Sequence, residues 1–390
     1  MPTPKEQASN TPSGTAEKLY NEGQDAQNAG DDDLALNCFR RSLEIQDLPV
    51  TRSAFAISLR YLNRFADAFG YINDSLTHYP GDPWLLYQRA LTLLQLGHWS
   101  EGWRDYEIRL SSPFHPARPM WRPQWNGEPG DVCVYREQGV GDEIMFASCI
   151  PDLMKEVRGH VYIETSPRMA PLMRESFPEA TVYTLMDGEM PGSPLYDVPI
   201  GSLPRLFRQK EKNFWERYAW LNAGEYEKRP LPSVGVAWAG GTSITRRAQR
   251  TINPLYLLPA LSTFTGSIIN LQWDARPDEI AAIERKLGLD LNHDASEFVD
   301  FLALARRIMA CDMVVSVCSS IVHLAGALGV PCICLTPYVP EWRYGVHKGV
   351  WLDSSPWYQS VTLYRQDKTR HWFPVIERLA RVLETQILTA

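Results

Sequence analysis

Between residues 16 and 110 the chain repeats itself about every 34 positions, and this self-similarity limits the fold more than any other feature. Gly23, Ala56 and Ala90 overlay, as do Ala35, Ala68 and Gly102, then Phe39, Ile72 and Tyr106, then Leu43, Leu76 and Leu110, in steps of 33 or 34. Small residues at two fixed points let paired helices approach closely, and the large apolar ones fill the space between successive pairs. Asn63 and Gly97 mark turns inside repeats, and Pro80 and Pro83 stand where one repeat ends. The spacing predicts three helix pairs with a short concave surface, able to bind a polypeptide or to dock on the rest of the chain.

After residue 131 the period changes. VCVYR (132–136), HVYIE (160–164), ATVYTL (180–185), SVGVAW (233–238), SIINLQ (267–272), DMVVSV (312–317) and PCICLT (331–336) are short β-branched runs separated by loops or helical stretches. That alternation specifies parallel sheets covered by helices. The polar stretch AGEYEKRPLP (223–232) divides the series into two doubly wound halves, with a ligand cleft expected beyond the carboxyl ends of the strands. The expected organisation is a disordered start (1–15), a helical repeat domain (16–112), a linker (113–131), a first lobe (132–225) and a second lobe (226–390). Five prolines make the linker stiff, with Trp121 and Trp125 expected as its anchors.

A chain of 390 residues with 22% charged residues has material for two or three packed domains. The net charge of −7 argues against a nucleic-acid-binding surface, which needs clustered, unopposed basic residues. Seven cysteines are scattered without zinc-site spacing, the first residues are too polar for a secretory signal, and no stretch approaches a membrane span. A cytoplasmic protein is expected.

Three stretches can carry chemistry. In REQGVGDEIMFASCIPDL (136–153) a strand ends in a glycine-bracketed turn and a helix begins. Glu137, Asp142 and Glu143 surround that turn, and Asp142, at or near the helix start, is either a cap or a general base for an acceptor hydroxyl. Glu137, Gln138 and Glu143 are the acceptor-side candidates, and Gly141 belongs with the donor side. In WAGGTSITRRAQRTINPL (238–255), Arg246, Arg247 and Arg250 have no acid near them in sequence and suit a departing diphosphate, or else form a solvated loop. Trp238, Gly240 and Gln272 join them as donor-side candidates. In VVSVCSSIVHLAGALGVPCICL (314–335), Ser319 and Ser320 are placed to cap a helix whose N-terminus forms an anion site. His323 follows within about a turn, as a donor contact or a core histidine. Trp273, Trp342 and Tyr344 are further aromatic candidates for stacking or for packing.

The helical period resembles the tetratricopeptide repeat. Taken with EQGVGDEIMFAS, PIGSLPRLF (199–207), VGVAWAG, SIVHLAGALG, PYVPEWRYG (337–345) and SSPWYQSVTLYRQ (354–366), the chain from about residue 16 onward resembles bacterial heptosyltransferase-like glycosyltransferases, and more closely their relatives with N-terminal tetratricopeptide repeats. The resemblance implies a GT-B fold of two Rossmann-like lobes, the first on the acceptor side and the second on the nucleotide-sugar side. It implies inverting transfer from a nucleotide sugar with Asp142 as base, the turn before SIVHLAGALG as diphosphate site, and no metal or other cofactor, in keeping with the lack of a DxD. Related chains carry Asp-Thr where this one has Cys318-Ser319. Relatives of this architecture include enzymes that modify proteins bound by their repeats and others that act on saccharide or lipid acceptors, so the implied partners are a nucleotide sugar and a protein acceptor, with homo-oligomerisation left open. A non-catalytic repeat adaptor is the third reading.

Overall fold

The computed structural model describes residues 12–111, 118–186, 191–214, 218–229, 232–242, 245–288, 290–291, 298–347 and 350–385. The first eleven residues of the expected disordered start, residue 112 at the end of the expected repeat domain and residues 113–117 of the expected linker lie outside these. Two compact units emerge, each from several pieces of chain: residues 1–116, 242–249 and 339–352 form the first, and 117–241, 250–338 and 353–390 the second.

Among the described residues of the first unit six α-helices follow in order: α1 (Gly14–Ala29), α2 (Asp32–Ile45), α3 (Pro49–Tyr61), α4 (Phe65–His78), α5 (Pro83–Gln95) and α6 (Trp99–Tyr106). Their ends are written in the sequence. Gly30 closes α1 with φ 87°, Asp31 caps α2 through the Leu34 amide, and Asp82 caps α5 through Leu85 with Pro83 at the first helical position. Asn63 and Gly97 take left-handed backbone at the α3–α4 and α5–α6 turns. The repeated small residues act through close approach. A Cβ on Gly23 of α1 would lie 2.6 Å from the Phe39 ring of α2, and one on Gly102 of α6 would lie 2.7 Å from Leu94 of α5.

Two later segments pack into this same unit. Trp342 is buried edge-on against Trp103 and tilted against Tyr106, and Trp351 meets the ring of Phe65. Strands β9 (Val346–His347) and β10 (Val350–Trp351) pair antiparallel. The Arg246 guanidinium pairs with the buried carboxylate of Asp32 at 3.1 Å and lies 3.9 Å from the Tyr61 ring centre.

The second unit holds two wholly parallel sheets. The first contains β1 (Val132–Tyr135), β2 (Val161–Glu164), β3 (Thr181–Tyr183) and β4 (Tyr196–Pro199) in the order β3-β2-β1-β4, with helices α7 (Val140–Phe146), α8 (Ile150–Glu156), α9 (Ala170–Ser176) and α10 (Leu203–Phe207) between and after the strands. The second contains β5 (Ser233–Ala237), β6 (Ser267–Asn270), β7 (Met313–Val317), β8 (Cys332–Thr336) and β11 (Val361–Arg365) in the order β11-β8-β7-β5-β6, with α11 (Leu258–Leu261), α12 (Pro277–Leu287), α13 (Phe301–Met309), α14 (Ser320–Ala327) and α15 (Phe373–Thr385). Val234, Val236, Val315, Val317, Ile333, Leu335 and Tyr364 line one face of that sheet and pack with Leu261 of α11 and with Ile376 and Leu379 of α15. The fold is therefore two doubly wound α/β lobes preceded by an all-helical region.

One of the two expected linker anchors is packed down and a further residue joins it. Trp125 is buried, but Trp121 is 54% exposed. Arg118 instead lies between the Trp121 and Tyr135 rings, with its guanidinium 4.0 and 3.9 Å from their centres, and bonds both Glu164 and Asp197.

Candidate active site

Each lobe has one point at which the strand order reverses, and ligands in open parallel sheets bind beyond the strand ends there. In the first lobe it falls between β1 and β4, in the second between β5 and β7. Three of the stretches singled out in the sequence leave strands at these two points.

Beyond β1, Gln138 takes left-handed backbone (φ 58°), and Gly139 serves as N-cap of α7. Asp142 is the third residue of α7, half-buried, with its N–H donating to the Gly139 carbonyl. A carboxylate in a first helical turn is favoured by the dipole and by nearby free amides. Its neighbours face inward. Glu137 is buried and accepts a hydrogen bond from the Gly201 amide just past β4, tying together the loops on either side of the reversal. Glu143 is buried and accepts a hydrogen bond from Thr165 Oγ1. Burial raises its pKa to about 7, against the opposing pull of that hydrogen bond and of Arg136. Both carboxyl groups are thus engaged within the lobe. Gln138 is half-buried on the turn itself.

Beyond β5 the chain passes through Gly240, where a Cβ would stand 2.4 Å from the Cys318 carbonyl oxygen and 2.8 Å from Ser319 Cβ, so only glycine fits. Beyond β7, Ser319 is the N-cap of α14: its Oγ accepts from the Ile321 amide at 3.2 Å and lies 3.0 Å from Ser316 Oγ. Ser320 opens the helix and is half-buried. Gln272 Oε1 accepts from the Trp238 and Ala239 amides at 3.0 and 2.9 Å, so its side chain fixes the β5 loop. The Trp238 ring is 2% exposed inside the core of the second lobe, which removes it as a stacking surface.

The basic loop divides. Arg246 spends its charge on Asp32, an acid supplied from more than 200 residues earlier, so its expected place at the diphosphate is corrected. Arg247 is exposed in the first unit, and Arg250 is buried in the second. Trp342 and Tyr344 are buried in the first unit and are withdrawn as cleft aromatics, whereas Trp273, just past β6, is 60% exposed.

The two lobes meet where α7 packs on α14. A Cβ on Gly141 would fall 2.9 Å from His323 Cδ2, so the bare glycine backbone lets the imidazole sit beside it, one residue from Asp142. Trp220, between the lobes, donates its Nε1–H to the Ile144 carbonyl of α7, while the Trp220 and Leu221 amides both donate to the Ala327 carbonyl of α14. His323 Nδ1 lies 2.7 Å from the Tyr358 hydroxyl. Sequence reasoning missed Trp220 and Tyr358 as parts of this junction, although Tyr358 falls in the SSPWYQSV stretch.

No protein-family model matches the chain. Protein FlbA of Caulobacter vibrioides is 29% identical over 343 residues, a match covering 78% of this chain and 56% of FlbA, so the chain spans little more than half the length of that curated relative. Among solved structures, the iron-containing dodecameric glycosyltransferase TibC of enterotoxigenic E. coli aligns with a TM-score of 0.46 and 9% identity over 68% of this chain and 78% of TibC. The ADP-heptose LPS heptosyltransferase II of E. coli aligns with a TM-score of 0.44 and 13% identity, covering 66% of this chain and 98% of that one. An O-GlcNAc transferase of Thermobaculum terrenum aligns over 100% of this chain and 94% of its own, with a TM-score of 0.28 and 13% identity.

TibC also corrects the expectation of chemistry without a metal, because it is described as iron-containing. The physical reason is general: metal ligands converge in space from positions far apart in sequence, so a missing DxD or a missing close Cys/His pair does not exclude a metal. Among the described residues no group of three or more His, Cys, Asp or Glu is placed to hold a metal ion.

Proposed function

We propose that the chain is a glycosyltransferase of GT-B type that moves a sugar from a nucleotide-sugar donor to an acceptor hydroxyl, with inversion at the sugar carbon. The observation that carries this reading is the meeting of two strand-order reversals across one helix contact: Gly141 and Asp142 from one lobe, and His323 with the capped start of α14 from the other. Such a junction offers a carboxylate on one side and free helix amides on the other.

In the proposed reaction Asp142 accepts the proton of the acceptor hydroxyl as that oxygen attacks the sugar carbon. The bond from that carbon to the donor diphosphate breaks, and the diphosphate leaves with the electron pair. Amides at the start of α14 near Ser319 and Ser320, the His323 ring and Arg250 meet the growing negative charge. Gly240 lets the turns after β5 and β7 pack closely and Gly141 seats the His323 ring, while Gln272 holds the β5 loop in shape. Gln138 lies on the acceptor side.

The acceptor is proposed to be a protein recruited by the helical unit. A second reading, a saccharide or lipid acceptor with the helices serving to hold the enzyme's own loops, is favoured by the buried seat of Trp342 and by the pairing of Arg246 with Asp32 in that unit. The test begins with a thermal-shift panel of nucleoside diphosphates and sugar nucleotides: ligand at 100 times its Kd raises stability by about 2.7 kcal/mol. Asp142→Asn is then expected to lower turnover by roughly 10² to 10⁴ while leaving nucleotide affinity unchanged. Full transfer by that variant removes Asp142 as base, and a panel with no binder removes the nucleotide-sugar reading.

A further inference from the structure

Between the short helical turn Glu211–Phe214 and β5 the chain crosses from the first lobe to the second, and a crossing of this kind is an ordinary place for a hinge. Here the crossing is tied to both lobes in turn. Trp220 donates its Nε1–H to the Ile144 carbonyl of α7 at 3.1 Å, while its own amide and that of Leu221 donate to the Ala327 carbonyl at the end of α14, at 3.0 and 3.1 Å. The Asn222 backbone exchanges two hydrogen bonds with Ser176 Oγ at the end of α9, and the Ala223 carbonyl accepts from Arg306 Nε of α13. The Trp220 ring is buried and stacks on Tyr358 at 5.2 Å with 18° between the planes. Its indole N–H grips α7 two residues along from Asp142.

We infer that Trp220 is a positioning residue: bound to α7 through its indole and to α14 through its backbone, it sets where the Asp142 carboxylate stands relative to the capped start of α14. This rests on the function proposed above. In that scheme Trp220 touches no substrate, and the start of α14, His323 and Arg250 all belong to the second lobe. Loss of the indole N–H therefore moves the base and leaves the diphosphate site in place, and a misplacement of about 1 Å costs up to roughly 10² in rate.

Two measurements on the full chain decide it. They use Trp220→Phe, which keeps an aromatic ring on Tyr358 and both backbone bonds, and benzothienylalanine placed at position 220, which keeps the indole's shape and has sulfur for the N–H. The first needs no ligand. In crystals of either variant α7 is expected to stand about 1 Å farther from α14 than in the native protein, with the turn before α14 unmoved. An unmoved α7 overturns the inference. The second compares the binding of ADP, GDP and UDP, by calorimetry, with release of the diphosphate from ADP-glucose, GDP-mannose and UDP-glucose, water serving as acceptor. The Kd of the tightest binder should stay within about twofold while release slows by roughly 10 to 10², with no further slowing when Trp220→Phe is added to Asp142→Asn. A Kd that rises as much as release slows, or an equal slowing in both backgrounds, makes Trp220 merely structural and overturns the inference. If the native protein binds none of these nucleotides the proposed function fails, and the crystals still decide the place of α7 separately.

Discussion

Two carboxyl groups adjacent in sequence have been given different surroundings. Asp142 stands half-buried on the first turn of α7, whereas Glu143 points into the lobe toward Thr165, and burial raises its pKa from 4.5 to about 7. The folded state therefore holds this proton more tightly than the unfolded chain does. Its stabilising contribution is complete below about pH 4.5 and is lost as the pH rises through 7, by up to about 3 kcal/mol. Glu143→Gln keeps an oxygen for Thr165 and has no charge to bury. It is expected to unfold in urea with a midpoint that changes less than the native one between pH 5 and 8, and to be the more stable protein at pH 8. Parallel pH profiles would show that the ionised carboxylate is accommodated without cost. At this scale the sequence exposed Asp142, Gly240 and Ser319, because turns and caps are local. It hid the contacts of Glu137, Arg246 and His323, whose partners lie 64, 214 and 35 residues away.

The elements themselves were largely readable, for a physical reason: the runs VCVYR, SVGVAW, DMVVSV and PCICLT form strands buried along their whole length, and such strands need nearly continuous apolar stretches. Strand β4 escaped because its sequence, YDVP, carries Asp197, fully buried, where an apolar residue belongs. That acid is tolerated because Arg118 and Arg122 reach it from the linker, with the Trp121 amide as a third donor. Arg118 also bonds Glu164, to which the Tyr183 hydroxyl donates, so one guanidinium fastens the linker across β1, β2 and β4. Removing it leaves two carboxylates buried with a cation lost. Arg118→Met is expected to cost about 3 to 5 kcal/mol in urea unfolding. Arg118→Lys should recover only part of this, since an ammonium neither bonds two carboxylates in a flat fork nor stacks between Trp121 and Tyr135. A loss below about 1 kcal/mol for Arg118→Met would mean that linker and sheet are held by other contacts.

The period of the first six helices and the strand alternation after them foretold an all-helical region followed by two α/β lobes, but contiguous boundaries could not show that compact units are assembled from separated stretches. Residues 242–249 and 339–352 belong to the helical unit, and their side chains are part of its core: Trp342 and Tyr344 are buried there, and Arg246 closes over Tyr61 onto Asp32. Cutting away residues 1–110 would therefore do more than remove a recruiting surface. It would bare Trp342 and Tyr344, aromatic side chains that bury about 150 to 250 Å² each, a loss on the order of 10 kcal/mol at ~25 cal/mol per Å² and as large as the whole stability of many domains. The fragment 111–390 is expected to aggregate or to unfold without a cooperative transition, read by light scattering and calorimetry. Asp32→Asn, which severs a single ion pair, should leave a folded chain of lower thermal midpoint. A soluble, cooperatively folded fragment 111–390 that still binds the nucleotide would show instead that the helices are a separable appendage, and would make the acceptor the natural occupant of their surface.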